Sequence, residues 1–225
     1  MSMLIYFITI MFLPLLIQMY LSSTYSKFSK VGTSSGITGA EAARRVLDEN
    51  GLYNVTVEPI RGKLTDHYDP RSKVVRLSEG NYYGTSIAAI SVATHECGHA
   101  VQDSEGYAPL RIRHSLVPVA NLGSNLSWIF ILIGIVLYSS SMLLLGIIFF
   151  AAAVLFQVVT LPVEFNASSR ALNLMVSSGM IRNEEESGAR KVLNAAALTY
   201  VAATVVAIAE LLRFVLMFVG MNNDD

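Results

Sequence analysis

The sequence predicts a mainly α integral membrane protein, with about four transmembrane helices and a small α+β part between them. Three observations predict it. Only 15% of the 225 residues are charged and 53% are hydrophobic, whereas a soluble domain carries about 25% charged residues. Four apolar runs, residues 3–20, 117–138, 142–161 and 198–219, are long enough to cross a hydrocarbon core about 30 Å thick at about 1.5 Å per residue. The stretches between them, residues 36–116 and 162–197, hold nearly all the charge and the turn-forming residues. Together these describe one membrane-embedded domain over residues 1–225, with two segments outside the bilayer.

The first run lacks a positive n-region and an A-x-A cleavage site, so it reads as an uncleaved signal anchor. Between the second and third runs lies only Ser139–Ser141, which predicts a helical hairpin with a tight polar turn. Of sixteen Lys and Arg residues, all but Arg213 lie between Lys27 and Arg113 or between Arg170 and Lys191. The positive-inside rule then places both segments in the cytoplasm, and the N-terminus, the hairpin tip and the tail MNNDD on the far side. Cys97 is the single cysteine, so no intrachain disulfide forms, as suits a reducing compartment. A net charge of −1 gives no support for nucleic-acid binding.

Outside the spans, the small-residue stretch 31–39 reads as a linker. Thr38 and Glu41 then stand at capping-box spacing and open a short amphipathic helix, with Ala42, Val46 and Leu47 on one face and Gly51 at its end. VTVEPI (55–60) and KVVRLS (73–78) are β-branched runs separated by the turn-rich RGKLTDHYDPRS, so two paired strands are expected. Residues 86–103 form an Ala-rich helix without proline. EFNASSRALNLMVSSG (164–179) predicts a helix stopped near Gly179, and a further helix starts near Asn183 as its cap, with Glu184, Glu185 and Glu186 in its first turn, and runs into the last span.

The chemistry centres on THECGHAVQ, residues 94–102. His95 and His99 are one helical turn apart, so they face the same way and can present nitrogens to one tetrahedral Zn²⁺. Glu96 between them is placed to take a proton from water activated by the metal. A catalytic zinc needs a third protein ligand, and a histidine in the pattern H-E-x-x-H-x-x-G-x-x-H is absent. Asp103 lies too far along the helix axis, and Glu105 lies near the helix end. The favoured candidate is Glu164, the first carboxylate after the hairpin, which returns to the side of the two histidines; its plainer reading is an interfacial carboxylate that begins a helix.

Other residues carry weaker expectations. His67 is a candidate for substrate contact or oxyanion stabilisation, and equally a solvent-exposed turn histidine. Arg170 is the first basic side chain after Glu164 and is a candidate for substrate, lipid phosphate or an acidic partner. Arg111, Arg113 and His114 precede a span and suit lipid headgroups. Cys97 reads as a small packed residue. Glu210 and Arg213 are three apart in the last span and are expected to pair. KVVRLS is a candidate edge for adding an extended substrate as a further strand.

GKLTDHYDPRSKVVRLSE, ATHECGHAVQ and LPVEFNASSRAL together resemble the YugP-type neutral zinc metallopeptidases of bacterial membranes, over nearly the whole chain. Their order is more distantly similar to the membrane-embedded stress and prenyl-protein endopeptidases. The resemblance implies a zincin-like catalytic part with His95, His99 and Glu164 as zinc ligands and Glu96 as catalytic base. It further implies a multi-pass protein of the bacterial cell membrane that hydrolyses polypeptide or membrane-protein substrates, with a place in membrane-protein quality control. The family pattern often carries aspartate where this chain has Asn166; an amide there would orient a ligand imidazole without the charge. Two rivals stand beside this reading. One is proteolysis with the metal inside the bilayer, which the polar surroundings of the motif and the missing L-D-G signature disfavour. The other is a non-enzymatic membrane adaptor or scaffold with a structural zinc.

Overall fold

In a computed structural model, residues 3–223 are described; Asp224 and Asp225, part of the tail expected on the far side, lie outside them. The element order is α1 (Met3–Phe28), α2 (Gly39–Glu49), β1 (Thr56–Ile60), β2 (His67–Asp69), β3 (Val74–Ser78), α3 (Glu79–Tyr82), α4 (Ile87–Ser104), α5 (Ala108–Val136), α6 (Ser140–Ser177) and α7 (Asn183–Asn223). Four of these helices, α1, α5, α6 and α7, are long and apolar enough to cross a membrane. The chain divides into two compact units. One comprises Met1–Leu16, Arg111–Pro162 and Tyr200–Asp225, the other Ile17–Leu110 and Val163–Thr199.

The first unit is built on the α5–α6 hairpin. Its turn is displaced from the expected Ser139–Ser141: α5 ends at Val136, Tyr138 adopts a left-handed φ of 51°, and Ser140 already opens α6. Helix α6 starts so promptly because the Ser139 hydroxyl accepts the Met142 N–H, satisfying a donor that has no partner within the helix. The two helices approach at backbone distance, since a Cβ on Gly134 would come within 2.5 Å of the Leu143 nitrogen and one on Gly146 within 2.8 Å of the Ile131 nitrogen. Small residues commonly allow such contact between membrane helices. Phe214 of α7 is buried edge-to-face against Trp128 and Phe150, and Arg213 pairs with Glu210 at 2.8 Å as expected.

The second unit is organised around α4. Ser86 caps it by accepting the Ala89 N–H. Thirteen of its eighteen residues are buried, so it is packed on nearly every side and has no wide solvent face. Helix α2 lies against one side with Ala42, Ala43, Val46 and Leu47 fully buried in the core that holds Ile90, Ala93, Cys97 and Ala100. Burying Leu47 or Val46 is worth about 1.5–3 kcal/mol each. The expected capping box of α2 is present, with Thr38 and Glu41 exchanging side-chain to backbone hydrogen bonds.

On another side α6 comes closer still. A Cβ on Gly98 would lie 2.9 Å from the carbonyl oxygen of Ala167. Gly98→Val is therefore expected to lower stability by about 1–3 kcal/mol through overpacking, read from the unfolding midpoint of the metal-free protein by circular dichroism.

The sheet has the order β1-β3-β2. The two expected strands do pair, in parallel, with Thr56 opposite Val74. The connection expected to be only a turn contains a third strand, β2, antiparallel to β3 with His67 opposite Arg76. This corrects the reading of KVVRLS as a free edge: β3 is the middle strand, flanked on both sides, and the edge near α4 belongs to β2, whose Tyr68 hydroxyl donates to Asp103 of α4 at 2.8 Å. The other large difference concerns the region after the third span. The separate helix expected over 164–179 is the continuation of α6, which runs unbroken through Pro162 for 38 residues. Its proline removes one internal hydrogen-bond donor without ending the helix. Asn183 is the first residue of α7 and not its cap; the Glu185 carboxylate instead accepts the Arg182 and Ser34 N–H groups.

Candidate metal centre

Helix α4 presents His95 and His99 to the second unit's part of α6, where Glu164 is almost fully buried. The Glu164 Oε2 lies 3.3 Å from His95 Nε2 and 3.7 Å from His99 Nε2. All three donor atoms fall within 4.8 Å of one another. Burial alone would depress the His99 pKa, but the neighbouring Glu164 carboxylate, the charge of Glu96, and Gln102 together raise it.

These residues fit zinc. Zinc takes imidazole nitrogen and carboxylate oxygen at about 2.0–2.2 Å, and the edges of such a tetrahedron are about 3.3–3.6 Å long, close to the two distances above. Glu164 Oε2 is a buried oxygen with no hydrogen-bond partner that meets the usual geometry, the kind of orphaned acceptor that calls for an ion. The Nδ1 atoms of both rings are engaged elsewhere, His95 with the Ser168 hydroxyl at 3.2 Å and His99 with Gln102 Oε1 at 3.1 Å, so each Nε2 is left to point inward. Among the described residues no fourth His, Cys, Asp or Glu joins the group. Three protein ligands are the pattern of a catalytic zinc, and four that of a structural one.

Glu96 sits beside this group with 9% of its surface exposed. Burial pushes its carboxyl pKa up, the adjacent His95 and His99 pull it back, and Glu164 and Asp66 push again; the net direction is upward. A carboxylate raised in this way is a better proton acceptor near neutral pH. Cys97 is fully buried with its thiol against the Ala43 carbonyl. Burial first, and the charge of Glu96 second, hold the thiol protonated, as expected of a packing residue.

The remaining expectations fare differently. His67 is not a member of the donor group; its Nδ1 meets the Thr65 carbonyl at 2.9 Å on β2. Arg170 pairs with Glu105 at 2.7 Å and donates from Nε to Asn166 Oδ1 at 2.8 Å, so an acidic partner is the outcome among the three roles considered for it. Asn166 touches neither ligand imidazole: its oxygen accepts from Arg170 and from Gln102. An amide oxygen serves there as a carboxylate would, since both neighbours are donors. Asp103 accepts from Tyr68 and Lys73.

Two residues that the sequence reading passed over, Gln102 and Ser168, make the contacts to the histidines. Their positions carried a signal. Gln102 is three after His99 and Ser168 is four after Glu164, so each shares a helix face with a candidate ligand.

Comparison with known proteins agrees with this site. Residues 3–219 match the family described as "Putative neutral zinc metallopeptidase". The chain is 58% identical over 208 residues to the "Putative membrane protease YugP" of Bacillus subtilis (strain 168), covering 92% of each protein. No solved structure matches. With a family match over nearly its whole length, a zinc-compatible donor set of two histidines and a glutamate, and four helices fit to cross a membrane, this chain belongs to the neutral zinc metallopeptidase family.

Proposed function

We propose that the protein is a membrane-bound zinc endopeptidase in which His95, His99 and Glu164 hold the metal and Glu96 is the general base. The observation that carries this reading is the convergence of two Nε2 atoms and one orphaned carboxylate oxygen within 4.8 Å. Zinc held there supplies a Lewis acid that polarises a peptide carbonyl and lowers the pKa of water to about 7. Glu96 accepts the proton as water attacks the carbonyl carbon, and returns it to the amide nitrogen as the C–N bond breaks. His95 and His99, fixed through their Nδ1 atoms, keep their orientation throughout. The helix, the neighbouring sheet and the downstream glutamate support a zincin-like reading of this part. An extended substrate adds to the outer edge of β2, because β3 has both edges occupied.

The distribution of Lys and Arg along the chain supports a cytoplasmic face for this part of the protein. Glu164 follows an apolar run by only a few residues, which favours substrates at or in the membrane and a role in membrane-protein quality control. The three-ligand donor group weighs against a scaffold with a structural zinc. The test uses the full chain purified in detergent. One zinc per chain and cleavage of an unfolded protein at internal bonds are expected, both lost on chelation and restored by zinc. Cleavage that survives complete removal of metal would overturn the reading.

A further inference from the structure

We infer that Gln102 is a positioning residue: it fixes the tautomer and orientation of His99 and ties that histidine to the helix that carries Glu164. This rests on the ligand reading above. Gln102 is completely buried, and every polar atom of its side chain is used. Its Nε2 donates to the Val163 carbonyl at 2.9 Å and to Asn166 Oδ1 at 2.9 Å, and its Oε1 faces His99 Nδ1 at 3.1 Å.

The direction of each bond follows from groups that can act in one way only. Arg170 is a donor without acceptor capacity, so the Asn166 atom facing its Nε at 2.8 Å is the oxygen. That oxygen, and the backbone carbonyl of Val163, both require a donor from Gln102, so its NH₂ group points at them. The opposite orientation of the amide would set oxygen against oxygen twice in a buried site, each contact leaving an acceptor unpaired. Gln102 therefore offers only Oε1 to His99, and the imidazole must answer with Nδ1–H. Its Nε2 is then the unprotonated atom, and it is the one facing Glu164.

Glu105 anchors the far end of the chain by its 2.7 Å pair with Arg170. A line of one-way contacts thus runs from Glu105 through Arg170, Asn166 and Gln102 to the ring of His99. The contrast with His95 is instructive, since the Ser168 hydroxyl beside it can donate or accept and imposes no tautomer. The Val163 contact adds a second effect. Gln102 grips the backbone one residue before Glu164, so the spacing of the histidine helix from the carboxylate is held by the side chain that also orients the ring.

The chain has only four histidines, so nitrogen NMR with isotope-labelled histidine reads the tautomer of each ring directly. In the zinc-loaded wild-type protein, His99 is expected to carry a slowly exchanging proton on Nδ1. Gln102→Met keeps the bulk and removes both polar groups. It is expected to weaken zinc binding about 10- to 100-fold, measured by chelator competition, and to speed exchange of the His99 proton, with His95 unchanged. Gln102→Glu restores an acceptor for Nδ1–H but sets its second oxygen against the Val163 carbonyl and Asn166 Oδ1; it is expected to recover the slow exchange and only part of the affinity. A residue that served only packing would leave ring-proton exchange and zinc affinity alone.

A folded Gln102→Met protein with wild-type zinc affinity and unchanged His99 exchange overturns the inference, as does a wild-type His99 protonated on Nε2. If Gln102→Met does not fold, as judged by circular dichroism of the metal-free protein, the His99 tautomer of the metal-free wild-type protein, in which no metal occupies Nε2, decides alone, Nδ1–H for and Nε2–H against. A wild-type chain that binds no zinc overturns the ligand reading first and this inference with it.

Discussion

Glu96→Gln is expected to lower the turnover of peptide cleavage by about 10²- to 10⁴-fold, the usual contribution of a positioned general base, while bound zinc stays at the wild-type level. The substitution keeps the shape of the side chain and replaces only its capacity to take a proton. Glu96 lies on α4 between the two histidines yet is not a member of the three-atom donor group, so its loss removes no ligand. Nor should folding suffer: a carboxylate so buried, whose pKa burial already raises, pays a desolvation cost that a neutral amide avoids. The measurement pairs zinc content with kcat for an unfolded protein substrate. Full cleavage by a zinc-loaded Glu96→Gln protein would remove Glu96 from the mechanism; loss of zinc would instead make it a ligand.

How much of this was legible beforehand depends on whether the deciding contact is local. His95 and His99 were readable because helical periodicity alone puts residues four apart on one face. Glu164 was nominated through topology, on the expectation that a hairpin of two spans brings the chain back to the side it left, and its carboxylate does meet the two histidines. The continuity of α6 was not readable, because Pro162 followed by a polar stretch looks like a helix boundary, whereas the helix runs through the proline and packs Ala167 closely against Gly98 five residues on. Strand β2 was hidden for a similar reason. Three residues ending at the aspartate of an Asp-Pro turn carry no periodic signal, and their strand character comes from pairing with β3. The Gln102 network is the least local of all: it needs α4 and α6 side by side, 64 positions apart in the chain. Spacing could nominate Gln102 by its place three after His99, but only the facing helix shows what it holds.

Glu164→Ala is expected to abolish stoichiometric zinc binding and, with it, peptide cleavage, while the metal-free protein remains folded. Two histidines alone leave zinc without the three protein ligands of a catalytic site. The contacts that hold α6 to α4 do not depend on the carboxylate: Gly98 against Ala167, Gln102 on the Val163 carbonyl and Arg170 on Glu105 all remain. The sharpest readout is linkage. Zinc that binds only the native state stabilises it by about 2.7 kcal/mol when free metal is 100 times its Kd, so the unfolding midpoint of the wild-type protein rises as zinc is added, and that of Glu164→Ala stays flat. Glu164→Gln separates charge from geometry, because it keeps an oxygen in place without the negative charge; an intermediate rise is expected. A Glu164→Ala protein that still binds one zinc per chain, with the full wild-type rise in midpoint, would exclude Glu164 as a ligand and send the search for the third donor elsewhere in the chain.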